Sequence, residues 1–166
     1  MEKEIIVANS REHLKKIIEK EIIIYGTECD LNHIDVSGIQ SMEKIFFKSK
    51  FNGDISQWNV SNVNNMSQMF FNSIFNGDIK QWNVSNVTDM SGMFFGASLN
   101  QDLSQWKPIK VKNISDIFTY CKSPIPYWAQ IDDLEKRIIA IRSFELEKFF
   151  KKNLENKIPN KYKVKI

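Results

Sequence analysis

Only two cysteines occur in 166 residues, Cys29 and Cys121. They form no CxxC motif and no cluster with the only two histidines, His13 and His33. That scarcity excludes a disulfide scaffold and the common zinc-finger spacings. Two reduced thiols are expected instead. Glycine (6) and proline (4) are also sparse, which excludes a collagen-like or low-complexity chain. Arginine contributes only 3 of the 23 basic residues, and against 20 acidic ones the net charge is +3. So small a value does not by itself imply a nucleic-acid binder. No run approaches the roughly 20 apolar residues that span a bilayer. The opening Met1-Glu-Lys-Glu-Ile-Ile-Val-Ala lacks the apolar stretch of a signal peptide, and no lipoprotein-type cysteine follows Met1. The chain as given therefore reads as cytoplasmic.

Other residue types are abundant. Isoleucine outnumbers leucine 23 to 7, lysine outnumbers arginine 20 to 3, and there are 16 asparagines. An AT-rich coding sequence would give this bias. The 12 Phe and 4 Trp are spaced too regularly for that explanation.

The spacing comes from an internal repeat. Phe51-Asn-Gly-Asp-Ile-Ser-Gln-Trp-Asn-Val-Ser-Asn-Val recurs from Phe75, and a looser copy, Leu99-Asn-Gln-Asp-Leu-Ser-Gln-Trp, begins at 99. The period is 24, and a degenerate copy occupies 27–50. Such self-similarity marks a repeat architecture. Each copy carries apolar residues at positions 1, 4, 6 and 9, as in Ile55-xx-Trp58-x-Val60-xx-Val63. That spacing predicts a short strand after a turn, with Trp58, Trp82 and Trp106 pointing inward as a core ladder rather than outward as a sugar-binding strip. Ser41, Asn65, Asp89 and Asn113 stand where helix N-caps would, and Met66, Met69 and Phe70 then lie at i, i+3 and i+4. Asp30, Asp54, Asp78 and Asp102 share one register; turn-capping is expected of them rather than metal binding. The fold expected is an α+β repeat solenoid, leucine-rich-repeat-like, with four 24-residue strand-turn-helix coils.

The repeat residues Phe51–Ser61 and Val84–Ser98, with the entry Cys29-Asp-Leu-Asn-His-Ile-Asp-Val-Ser, resemble the BspA-like leucine-rich repeat proteins. That family was once known only as a domain of unknown function in mycoplasma lipoproteins. The resemblance spans roughly 12–128 and implies protein binding or adhesion. The missing export signal and a C-terminal extension depart from its pattern.

Three regions follow. Residues 1–26 form an N-terminal cap, with a strand at Ile5-Ile6-Val7, a helix capped by Asn9 with Glu12 completing a capping box, and Gly26 as C-cap. Residues 27–122 form the repeat. Residues 123–166 form a C-terminal cap with an amphipathic helix over about 131–155 and a basic tail. Charge divides unevenly, 14 basic and 7 acidic residues falling in 107–166. No phosphate loop, HExxH or nucleophile elbow is present, so no catalytic chemistry, cofactor or metal is expected. The candidate partner-binding residues lie on the repeat face (His33, Asp35, Gln57, Asn59, Gln81, Asn83, Gln105 and Lys107) and on the C-terminal helix (Lys136, Arg137, Arg142, Lys148, Lys151 and Lys152). The function expected is a non-enzymatic binder that inhibits or sequesters another protein, such as an anti-defence or immunity protein of a bacterial or phage mobile element. A surface adhesin without its export signal, or nucleic-acid binding by the basic C-terminal third, are the alternatives.

Overall fold

The computed structural model describes residues 3–157. The expected tail lysines Lys161, Lys163 and Lys165 lie outside that range. The elements are β1 (Ile6–Val7), α1 (Arg11–Tyr25), β2 (Ile34–Asp35), a 3-10 helix (Tyr127–Gln130) and α2 (Leu134–Lys157).

This overturns the expected fold class. Among the described residues there are two α-helices and one two-stranded sheet, and neither a helix nor a ladder strand occurs between Asp35 and Tyr127. No leucine-rich-repeat solenoid of four strand-turn-helix coils is formed. The physical reason is backbone handedness. Lys44, Lys48, Gln68, Asn72, Asp116 and Tyr120, with Gly92 and Gly96, all have φ between +50° and +61°. A left-handed residue every four positions cannot belong to a right-handed helix. Each instead occupies the third position of a turn, as where Ile45 N–H donates to Met42 O at 3.2 Å around Lys44. Ser41, Asn65, Asp89 and Asn113 therefore cap turns rather than helices: Asn65 Oδ1 accepts from Ser67 N–H at 2.8 Å, and Asp89 Oδ1 from Ser91 N–H at 2.8 Å.

The 24-residue period persists in how these turns are held together. The N–H groups of Met42, Lys44, Phe46 and Lys48 donate to the carbonyls of Asn65, Ser67, Met69 and Phe71 at 2.8 to 3.1 Å. Met66, Gln68, Phe70 and Asn72 repeat the pattern onto Asp89, Ser91, Met93 and Phe95. Alternate amides thus bond to the next layer while the rest close turns, so buried backbone is satisfied without regular secondary structure. Parallel bridges at Ser41–Asn65, Asn65–Asp89 and Asp89–Asn113 mark the register.

Side chains at the same register stack inside. Phe46, Phe70, Phe94 and Phe118 lie ring on ring, 5.3 to 5.7 Å apart and within 18° of parallel. Trp58, Trp82 and Trp106 are at most 4% exposed. Each indole donates to a carbonyl of the preceding layer: Leu31 O at 2.9 Å, Ile55 O at 3.2 Å and Ile79 O at 3.1 Å. These tryptophans are core, as the spacing indicated. Gly53 is required by close approach, because a Cβ there would lie 2.0 Å from Cys29 O.

Both ends of the stack are covered. β1 pairs in parallel with β2, Ile6 opposite Ile34. α1 buries Leu14, Ile17, Ile18 and Glu21. Its N-cap is Ser10, one residue beyond the expected Asn9, with Ser10 Oγ accepting from His13 N–H at 3.1 Å. Asn9 N–H donates back to His13 Nδ1 at 3.2 Å, so His13 rather than Glu12 closes the reciprocal cap. Gly26 ends α1 as expected, at φ 86°. At the other end Trp128 is fully buried, stacks 6.4 Å from Trp106, and donates to Leu103 O at 3.0 Å. α2 starts later than expected, after Asp133, whose Oδ1 accepts from Lys136 N–H at 2.8 Å.

Candidate partner-binding surface

The aspartates at the shared register cap turns, while Asn52, Asn62, Asn76 and Asn86 bond between layers. Asp54, Asp78 and Asp102 accept from the amides of Ser56, Lys80 and Ser104 at 2.8 to 3.0 Å, and Asp30 from Asn32 at 2.7 Å. The Ser104 hydroxyl, then its amide, lowers the Asp102 carboxyl below its ordinary value. Burial pulls Asp54 upward, but hydrogen bonds from Ser56 and Asn32 outweigh it and leave that carboxyl lowered. Among the described residues no group of His, Cys, Asp or Glu is placed to hold a metal ion.

Of the candidate surface residues, Asp35, Asn59 and Asn83 also build turns, accepting from Ser37, Ser61 and Ser85 N–H at 2.9 to 3.2 Å. Asn59 and Asn83 remain exposed, and Asp35 is half-buried. Its carboxyl is lowered, first by the Ser37 amide. Gln57, Gln81, Gln105 and Lys107 are exposed along one side, alternating with buried Trp and Val. A groove of about 330 Å³ runs between layers there, lined by Gln81, Asn83, Gln105 and Lys107 among others.

His33 does not belong to this face. Its side chain is only 9% exposed, with Nε2 3.2 Å from Glu21 Oε2 of α1. Lys3 Nζ reaches the same oxygen at 2.9 Å. His33 Nδ1 is buried without a hydrogen-bond partner. This cluster ties the N-terminal segment, α1 and the start of β2 together.

Arg137 is likewise interior. It is fully buried, and its guanidinium donates to Val111 O at 2.6 Å, Ile131 O at 2.8 Å and Asp132 O at 3.0 Å. The guanidinium fastens α2 to the stack through Val111 O and braces the entry to the helix through Ile131 O and Asp132 O. Desolvation lowers its pKa, against the opposing pull of Asp132 and Asp133.

The remaining α2 candidates, Lys136, Arg142, Lys148, Lys151 and Lys152, are all exposed. Two contacts bring helix and repeat face together: Lys148 Nζ donates to Gln105 Oε1 at 3.1 Å, and Lys107 pairs with Glu145. Between them lies a cleft of about 180 Å³, floored by Tyr127 and Phe144 with rings 4.6 Å apart. Burial, then Glu145, pushes the Tyr127 phenol up to about 12. Tyr127, Phe144 and Glu145 were not among the residues expected from sequence. Their signal was the spacing of Ile141 and Phe144 on one helical face, with Glu145 beside them.

A second surface also escaped sequence reasoning. Phe47, Phe71, Phe95 and Tyr120 form an outer aromatic row, with successive rings 4.7 to 5.3 Å apart. Phe47, Phe71 and Phe95 stack face to face, so this row offers edges rather than open ring faces to a ligand.

Residues 15–129 match the family described as "Mycoplasma protein of unknown function, DUF285". No curated protein and no solved structure matches the chain. No described helix is long and apolar enough to cross a membrane.

Proposed function

The chain belongs to this family of mycoplasma proteins of unknown function, and we infer that it is a non-enzymatic binding module that engages another protein, as an inhibitor or sequestering factor inside the cell. The observation that carries this reading is the continuity of the exposed Gln57, Gln81, Gln105 and Lys107 row with α2, through the Lys148–Gln105 and Lys107–Glu145 contacts. A rigid, hydrogen-bonding face beside a projecting helix supplies two walls for a partner. The likeness of the repeat to BspA-like proteins supports binding rather than catalysis. An anti-defence or immunity role, in which one compact chain blocks a nuclease or toxin, fits this economy.

Affinity capture tests it, with the full chain, a Gln81→Arg/Gln105→Arg variant and a Lys148→Glu/Lys151→Glu variant as baits. One stoichiometric protein held by the full chain and lost from both variants is the expected result. Recovery of no such protein, or equal recovery by all three baits, would overturn the reading.

Five exposed cations on α2 favour a second reading, binding to a phosphate backbone. It predicts affinity for duplex or single strands that falls steeply from low to physiological salt. Flat dependence, or no binding at low salt, removes it.

A further inference from the structure

α2 carries two apolar faces. Over its first half, Ile138, Ile141 and Phe144 pack inward with Arg137. Ile139, Leu146, Phe149, Phe150 and Leu154 point elsewhere, and each is 57% to 63% exposed. At 3.6 residues per turn, this second stripe lies about 150° round the helix from the packed one. Five large apolar side chains in a row on an exposed helix face have no counterpart in an ordinary solvated surface. Beyond Phe144 the apolar side chains of α2 are all exposed, without apolar cover from the stack.

The charges flanking the stripe indicate what packs there. Glu145 and Lys152 sit on the same flank, one on each side of Phe149. If two α2 helices pair antiparallel about the Leu146–Phe150 region, Glu145 of each copy meets Lys152 of the other. Parallel pairing would set Glu145 against Phe150 of the other copy, where no charge answers it. The stripe is thus self-complementary in one orientation only, which is the requirement for a two-fold interface. Glu145 is already oriented by Lys107 of its own chain. The geometry points to a second copy of this chain as the occupant: α2 is an antiparallel homodimerisation helix. The apolar stripe points away from the side of α2 that packs on the stack, so a dimer would display two repeat faces and could bind a partner bivalently.

Sedimentation equilibrium of the full chain tests this, with melting temperature confirming that each variant is folded. The expected mass rises with concentration from 19.5 kDa towards twice that value, with half-association in the micromolar to sub-millimolar range usual for an interface this short. Lys152→Glu, which places like charges at every contact, should raise the dissociation constant at least about tenfold. Glu145→Lys combined with Lys152→Glu restores opposite charges and should bring it back to within about threefold. A chain that stays at 19.5 kDa up to about 500 µM overturns the proposal. So does a Lys152→Glu variant that associates as well as the unmodified chain, or a double exchange that fails to restore association. Leu146→Ser combined with Phe150→Ser removes the centre of the stripe and none of the partner-facing cations; loss of dimer with retained partner capture in that variant separates this inference from the binding reading above.

Discussion

The indole N–H of Trp106 donates to the carbonyl oxygen of Ile79, 27 residues earlier, at 3.1 Å. Trp58, Trp82 and Trp128 make the same kind of bond to Leu31, Ile55 and Leu103. One side chain per layer therefore supplies both core volume and a buried polar link to the layer before it. Trp106→Phe keeps most of the volume, removes the link between layers and leaves Ile79 O with only the Trp82 N–H, at 3.2 Å, as donor. The expected loss is about 2 kcal/mol in denaturant unfolding followed by fluorescence. A change below about 0.5 kcal/mol would mean that the bond contributes nothing.

Ser73 gives the opposite case. It is 1% exposed and its hydroxyl has no hydrogen-bond partner, while Ala97, at the same register one layer on, is 3% exposed. Ser73→Ala removes an unpaired buried hydroxyl and adopts the residue its neighbour already uses. Stability should rise by about 1 kcal/mol, read as a higher melting temperature. A lower one would imply an unseen partner for that oxygen.

The shape of the stack was legible in part. The period of 24, the inward tryptophans and the turn-capping aspartates followed from spacing and from side-chain chemistry that admits few alternatives. The strand-turn-helix content did not. Met66, Met69 and Phe70 at i, i+3 and i+4 suit one face of a helix, yet they suit two successive turns equally well. What decides between them is φ at positions 68 and 72, where Gln68 and Asn72 stand and only Gly92 and Gly96 in the next copy hint at a left-handed backbone. His33 and Arg137 read as surface residues in the sequence because charged and polar types usually are. Their burial depends on partners distant in sequence, Glu21 for one and Val111 for the other.

Arg137 shows what that misreading conceals. Arg137→Ala strands the buried Val111 carbonyl, frees the half-buried Ile131 and Asp132 carbonyls and removes the anchor of α2, at an expected cost of about 3 kcal/mol. Tyr127, freed from the helix above it, should then titrate well below about 12, towards its ordinary value near 10. Ultraviolet titration of the phenols checks this. An unmoved high-pH transition would show that α2 does not depend on Arg137.

Asp35, Asp54 and Asp102 have carboxyls lowered in the folded state. A group lowered on folding adds stability that is present above its unfolded pKa, about 3.9, and is lost as pH falls through the folded value. Acid should therefore weaken the protein below about pH 4. Asp102→Asn keeps an acceptor for Ser104 but cannot titrate, so its stability should change less between about pH 4 and pH 2 than that of the unmodified chain. Equal slopes would remove Asp102 from the acid response.

The central claim is that a partner lies against the repeat face and α2 together. Amide hydrogen exchange of the chain, free and saturated with the protein captured by it, tests that most directly. Protection on binding is expected at residues 56–59, 80–83 and 104–107 and along α2 from Arg142 to Lys152. Protection confined to the outer aromatic row around Phe47, Phe71 and Phe95, or to the β1 and α1 end, would contradict the account.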